Sequence, residues 1–184
     1  MRKASSPNAD LQKIPSQVDV WQLARLGGTL RGRAALAGFA RLLEGLPGQP
    51  ADREVVWSLA GETDGLGQRH VALRVRAVVT LECQRCLAMF DLPLHVDTRL
   101  RLVEAEEELE AEDMPEDEPD VPDRVLGSTH FDVAELVEDE LILTLPYVPK
   151  HEVCPSLPKA LETAEGGDTR RPSPFAVLAD LKKD

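Results

Sequence analysis

At 184 residues the chain holds about one domain with appendages, and its 42% apolar content is thin in large fillers, with four Phe, two Trp and one Tyr. The formal charge of −12 is local: residues 103 to 123 hold twelve Asp or Glu and no Lys or Arg, and outside them basic and acidic residues balance at 21 each. No apolar run approaches the roughly 20 residues that cross a bilayer. The Met1-Arg2-Lys3 start leads into polar residues and predicts no secretory signal. Three cysteines are a poor disulfide framework and suit a reducing cytoplasm.

The overall acidity does not exclude nucleic acid, because the field depends on where charge sits. Residues 1 to 50 carry seven Arg or Lys against three acids, with Arg25, Arg31 and Arg33 closely spaced. Arg74, Arg76, Arg85, Arg99 and Arg101 come further along.

Residues 1 to 16 are polar and contain proline, which predicts a flexible leader. Val18, Val20 and Trp21 suit a short edge strand or a segment packed on the next element, until Gly27-Gly28 breaks the pattern. Leu36, Phe39, Ala40, Leu43 and Leu46 form one apolar stripe, so a helix is expected over Ala34 to Leu46, stopped by Pro47-Gly48. Val55, Trp57 and Leu59 alternate, which predicts a strand over Glu54 to Leu59.

From His70 the alternation is strongest. Val71, Leu73, Val75, Ala77, Val79 and Leu81 share one face, with Arg74, Arg76, Thr80 and Glu82 on the other. After a short break Phe90, Leu92, Leu94, Val96, Leu100 and Leu102 repeat the pattern against Asp91, His95, Asp97, Arg99 and Arg101. Two such runs read as a long hairpin, with Pro93 placing its part of the second run on an edge or at a bulge. His70 and His95 are expected on or beside the polar faces.

Residues 103 to 124 have little periodicity, and like charges at that density oppose compaction, which predicts a disordered acidic loop. Asp132-x-x-Glu135 is a capping box, with Phe131 and Leu136 placed as a staple across it. The helix beyond it turns Val133, Leu136, Val137, Glu140, Leu141 and Thr144 to one side and Glu138 and Asp139 toward water. Pro146 stops it, and a Pro-rich tether delivers His151 and Cys154. After a linker over 156 to 171, Pro174 opens a short helix over 172 to 184, with Phe175, Leu178 and Leu181 as its stripe. The expected fold class is α+β: a twisted antiparallel sheet with a long central hairpin, covered by a few helices. Residues 17 to 102 and 125 to 155 would make up the one ordered domain.

The chemistry concentrates at Cys83-Gln84-Arg85-Cys86, in the turn of that hairpin. Two thiolates at this spacing supply half of a tetrahedral zinc site, and His151-x2-Cys154 offers the other half. Glycines commonly let such turns aim N–H groups at sulfur, and neither half has one. Metal-free cysteines packed at a hairpin tip are the competing reading. A dithiol redox pair is a third, opposed by the first cysteine ending a strand rather than opening a helix. No glycine-rich phosphate loop, motif-level nucleophile or tuned carboxylate pair is present, so no enzyme is expected. Arg85 at the exposed turn, with Arg74, Arg76, Arg99 and Arg101 on the hairpin's polar face, are candidate contacts to RNA phosphates or another partner.

The run Val79-Thr80-Leu81-Glu82-Cys83-Gln84-Arg85-Cys86-Leu87 resembles the signature of the bacterial YceD family, the large ribosomal RNA subunit accumulation proteins. Leu26 to Leu46, the Phe131-Asp132 to Pro146 helix with Val148 to His151 after it, and Pro172 to Leu181 are similar to other family blocks, in the same order. The resemblance implies a cytoplasmic ribosome-biogenesis factor supporting synthesis, processing or stability of large-subunit (23S) ribosomal RNA. Its partner would be that RNA, a ribosomal protein or a pre-ribosomal particle. Many relatives carry a second cysteine pair near the C-terminal tether, where this chain has His151 and Cys154. The alternative is a small zinc-binding or dithiol redox protein built on Cys83 and Cys86.

Overall fold

A computed structural model describes residues 14–109 and 122–155. Most of the expected leader, the centre of the acidic loop, the linker and the C-terminal helix with Phe175, Leu178 and Leu181 lie outside the described residues.

Helix α1 (Val20–Leu26) opens the fold, where a strand or packed segment was expected. Asp19 caps it by accepting from the Gln22 N–H at 2.8 Å, and Gly27 closes it at φ +61°. Val18 keeps a trace of strand character in an antiparallel bridge to Phe131. The helix expected over Ala34 to Leu46 does not form as such. Strand β1 (Thr29–Ala35) runs into the start of that range, a 3-10 turn covers Leu36–Gly38, and only Ala40–Leu43 is α-helical, as α2. The apolar spacing there is helical, but Glu54 to Ala60 lies alongside and offers β1 a full ladder of hydrogen bonds, and tertiary pairing overrides local pattern.

Strands β2 (Glu54–Thr63), β3 (Arg69–Glu82) and β4 (Met89–Val103) complete an antiparallel meander in the order β1-β2-β3-β4. The expected hairpin forms, with Val75 opposite Val96 and Glu82 opposite Met89. Pro93 faces Val78 on a stretch of β4 whose other side meets no strand among the described residues, the edge position that a missing N–H requires. A short β5 (Arg124–Leu126) then pairs parallel to Arg101–Val103, so both ends of the expected acidic loop are strand. Two adjacent parallel strands need a long connection, and residues 104–123 provide it.

One face of the sheet is covered. Leu59, Leu73, Val75, Val79, Leu94 and their neighbours are buried beneath α1, the α2 region and α3 (Val133–Thr144), which contributes Val133, Leu136, Val137 and Leu141. Asp132 caps α3 as expected, accepting from the N–H groups of Ala134 and Glu135 at 2.9 and 3.1 Å. Glu138 does not turn to water. Its carboxylate accepts from the backbone N–H groups of Arg41 and Leu42 at 2.8 and 3.1 Å and from the Arg41 guanidinium at 3.0 Å, so it caps α2 from a different helix. That long-range cap is what four residues need to hold a helical turn.

Among the described residues no helix covers the opposite face of the sheet, which carries the arginines. His70 lies there by register, between Glu62 and Arg101, yet it is buried rather than displayed. Burial holds its imidazole below the usual histidine range, and the nearby Arg99 charge adds to that. His95 is exposed, opposite Arg76 and far from His70 along the strands.

Candidate metal centre at the hairpin tip

The site grows from the point where β3 ends. Cys83 leaves the strand buried, and its N–H and carbonyl stay bonded across the turn to Ala88 O and Leu87 N at 3.0 and 2.8 Å. Closing so tight a turn needs a residue at positive φ. Leu87 supplies it at φ +60°, doing what glycine usually does, at a strain of about 1–3 kcal/mol. The glycine whose absence argued against a metal turn is therefore replaced by a strained leucine.

The other half arrives from α3. Pro146 ends that helix, and the extended chain lays the Pro149 carbonyl on the Gln84 N–H at 2.9 Å. His151 then sits with its ring centroid 4.7 Å from that of Phe90. The two halves meet: ligand atoms of Cys83, Cys86, His151 and Cys154 all lie within 4.8 Å of one another. The Cys83 and Cys154 sulfurs are 3.8 Å apart, and Cys86 Sγ is 3.4 Å from His151 Nδ1. Bonds of about 2.3 Å to sulfur and about 2.0 Å to nitrogen around a tetrahedral ion imply edges of about 3.8 and 3.5 Å, so the donor set fits zinc.

The local field favours thiolate. Burial by itself raises the Cys83 thiol, but the backbone N–H groups of His151, Cys86 and Arg85, with the His151 side chain, outweigh it and bring it down to about 5. Cys86 behaves oppositely: the Ala88 N–H lowers its thiol, but burial and bonding to Cys154 and Cys83 prevail and leave it raised. An incoming dication would stabilise the thiolate form of both sulfurs outright.

Arg85 is exposed, as expected, but it is not free. Its guanidinium donates to Cys154 Sγ at 2.9 Å and to the His151 carbonyl at 3.2 Å. The remaining candidates sit on the open face of the sheet. Arg74 meets Asp97 at 3.2 Å and Arg99 meets Glu62 at 3.2 Å, while no ion pair among the described residues engages Arg76 or Arg101. Sequence reasoning missed that Arg31 and Arg33 join this face. They belong to β1, and the alternation of Thr29, Arg31 and Arg33 with Leu30, Gly32 and Ala34 was the available signal.

The profile of the large ribosomal RNA subunit accumulation protein YceD family matches residues 71–182. A large ribosomal RNA subunit accumulation protein YceD from Haemophilus influenzae is 30% identical over 184 residues, covering 93% of this chain and 97% of that protein. No solved structure matches the chain. The chain belongs to the YceD family. Among the described residues no helix is long and apolar enough to cross a membrane.

Proposed function

We propose that this YceD-family chain is a non-enzymatic, cytoplasmic ribosome-biogenesis factor that supports synthesis, processing or stability of large-subunit (23S) ribosomal RNA. Its partner is that RNA, a ribosomal protein or the particle that contains both. The observation that carries the reading is the likeness to the Haemophilus influenzae protein, which spans nearly the whole of both chains. The site supports the non-enzymatic part: four converging donors make a closed set with no position left for substrate or water, the pattern of structural rather than catalytic zinc.

In this reading Cys83, Cys86, His151 and Cys154 hold a structural zinc. Bound there, the ion supplies a cross-link between the hairpin tip and the chain leaving α3. Three thiolates and a neutral imidazole around a dication leave one negative charge, and the Arg85 guanidinium on Cys154 cancels it.

The test is depletion of the protein in its own cell, followed by measurement of 23S and 16S ribosomal RNA, together with capture of the tagged chain with and without nuclease. Loss of 23S relative to 16S, with large-subunit RNA or proteins in the captured material, is expected. Unchanged 23S and no large-subunit component in either capture would overturn the reading. A dithiol that cycles between oxidised and reduced forms without bound metal would move it to the redox class.

A further inference from the structure

The open face of the sheet carries a second feature, separate from the metal centre. Arg31 and Arg33 lie on β1, and Arg74 and Arg76 on β3. Ser58 of β2 stands in register with both Arg31 and Arg74, and Val56 with both Arg33 and Arg76. Opposed residues in an antiparallel sheet point to the same side, so all four arginines project from the face opposite the described helices. With a rise of about 3.3 Å per residue and strands about 4.8 Å apart, their Cα positions make a rectangle of about 7 by 10 Å.

Between them is a depression of about 410 Å³ bordered by the four arginines, Ser58 and Val56. Val56 is 43% exposed at its floor, unusual for an apolar strand residue. Arg31 and Arg76 make no ion pair among the described residues. Arg33 reaches Glu54 only at 3.6 Å, and Arg74 reaches Asp97 at 3.2 Å with both side chains more than two-thirds exposed. Such surface pairs contribute little and exchange readily for a better anion. With Glu54 and Asp97 as their ion-pair partners, the four arginines leave this patch net positive on a chain whose total is −12.

We propose that this arginine rectangle is a phosphate-backbone binding surface for single-stranded RNA, with Arg31, Arg33, Arg74 and Arg76 as its contacts. Guanidinium groups on a rigid strand lattice present planar paired donors at regular intervals, which suits a polymer of evenly spaced phosphates. An acidic peptide would need separate pockets for its side chains, and this one shallow depression has Gly32, Val56, Trp57 and Ser58 between the arginines. The surface positions RNA without reading bases, and it excludes Arg85, whose guanidinium is committed to Cys154 and His151. The assignment names the RNA-contacting surface within the assembly role proposed above and rests on that reading.

The experiment is fluorescence anisotropy of the full chain with a labelled, unstructured single-stranded RNA over a range of KCl concentrations, with a polyglutamate of similar length as the second probe. Four phosphate contacts predict a slope of log K against log salt of about −3, at about 0.7 per contact. Arg31→Gln with Arg33→Gln should remove about 1.4 from that slope, and adding Arg74→Gln and Arg76→Gln should abolish binding. Arg25→Gln, on helix α1 across the sheet, should change neither. Circular dichroism and thermal melts confirm that each variant is folded.

The proposal falls if the folded wild-type chain does not bind RNA at low salt, if the paired β1 variant binds as wild type, or if polyglutamate binds as well as RNA. Co-sedimentation of the same proteins with large-subunit precursors separates the two levels. Wild-type co-sedimentation with normal 23S accumulation but no RNA binding sinks the surface and leaves the assembly role. RNA binding that depends on the four arginines, with no precursor association and no effect on 23S, does the reverse.

Discussion

The Nε of Arg85 donates to the Sγ of Cys154 at 2.9 Å, and a second nitrogen of the same guanidinium donates to the His151 carbonyl at 3.2 Å. A residue in the turn of the hairpin thus holds both members of the remote half-site, although the two segments lie more than sixty residues apart in the chain. Hydrogen bonds to metal-bound sulfur orient the ligand and drain its charge. Arg85→Ala is therefore expected to weaken zinc retention by about 10–100-fold, in competition against a chromogenic chelator. Arg85→Lys should fall between, because an ammonium restores the charge but not the paired donors. Neither change should alter RNA affinity, which is the opposite of what a phosphate-contacting Arg85 would do.

With zinc held as proposed, the four-donor site would latch residues 147 to 154, which the Gln84 N–H also ties to the hairpin by donating to the Pro149 carbonyl at 2.9 Å. Cys154→Ala, or chelation of the wild-type chain, should release that segment and leave the sheet intact. Hydrogen exchange by mass spectrometry would then show the Gln84 amide losing protection while Leu73 and Val75 in the buried strand keep theirs. His151→Cys should keep about one zinc per chain by elemental analysis, because thiolate and imidazole are interchangeable donors at such a site.

Gly61 is where α1 rests on the sheet. A Cβ there would lie 2.3 Å from the backbone carbonyl carbon and oxygen of Leu23, which cannot step aside without moving the helix. The Gly61 N–H also donates to Gly28 O at 2.9 Å, tying the strand to the turn after the helix. Gly61→Ala should cost about 3 kcal/mol through overpacking, measured by urea unfolding. Gly65→Ala meets nothing within 4 Å and should stay within about 0.5 kcal/mol of wild type.

Asp91 accepts from Thr80 Oγ1 at 2.8 Å and from the Arg53 guanidinium, and these two bonds, the threonine first, hold its carboxyl below the usual carboxylate range. A folded value below the unfolded one, about 3.9, gives stabilisation that is complete above about pH 4 and lost as pH falls through the folded value. Asp91→Asn should lower stability at pH 7 and contribute no further loss in acid. The gap between wild-type and variant unfolding midpoints should accordingly narrow on moving from neutral pH to about pH 3.

Period-two alternation over 70 to 102 was legible because a half-buried strand writes its burial directly into every second residue, and β3 and β4 obey that reading closely. The α3 cap was legible for a similar reason, since Asp132 acts on N–H groups only two and three residues away. Helix α1 was missed although Asp19 and Gln22 stand at cap spacing, because only seven residues and two buried side chains mark it. The 34 to 46 region was misread because its apolar spacing suits a helix, while the ladder that makes its first part a strand is provided by β2.

By itself the chain determined what depends on neighbours in sequence: the faces of the hairpin, the cap of α3, the cysteine spacing and the family resemblance. Only the folded arrangement decided that His151 and Cys154 reach Cys83 and Cys86, that Arg85 turns inward to them, and that Arg31 and Arg33 join Arg74 and Arg76 on one surface. Local rules fix which way a side chain points from its own strand. Which strand lies beside it, and which distant segment crosses its end, is settled by how the whole chain buries its apolar face.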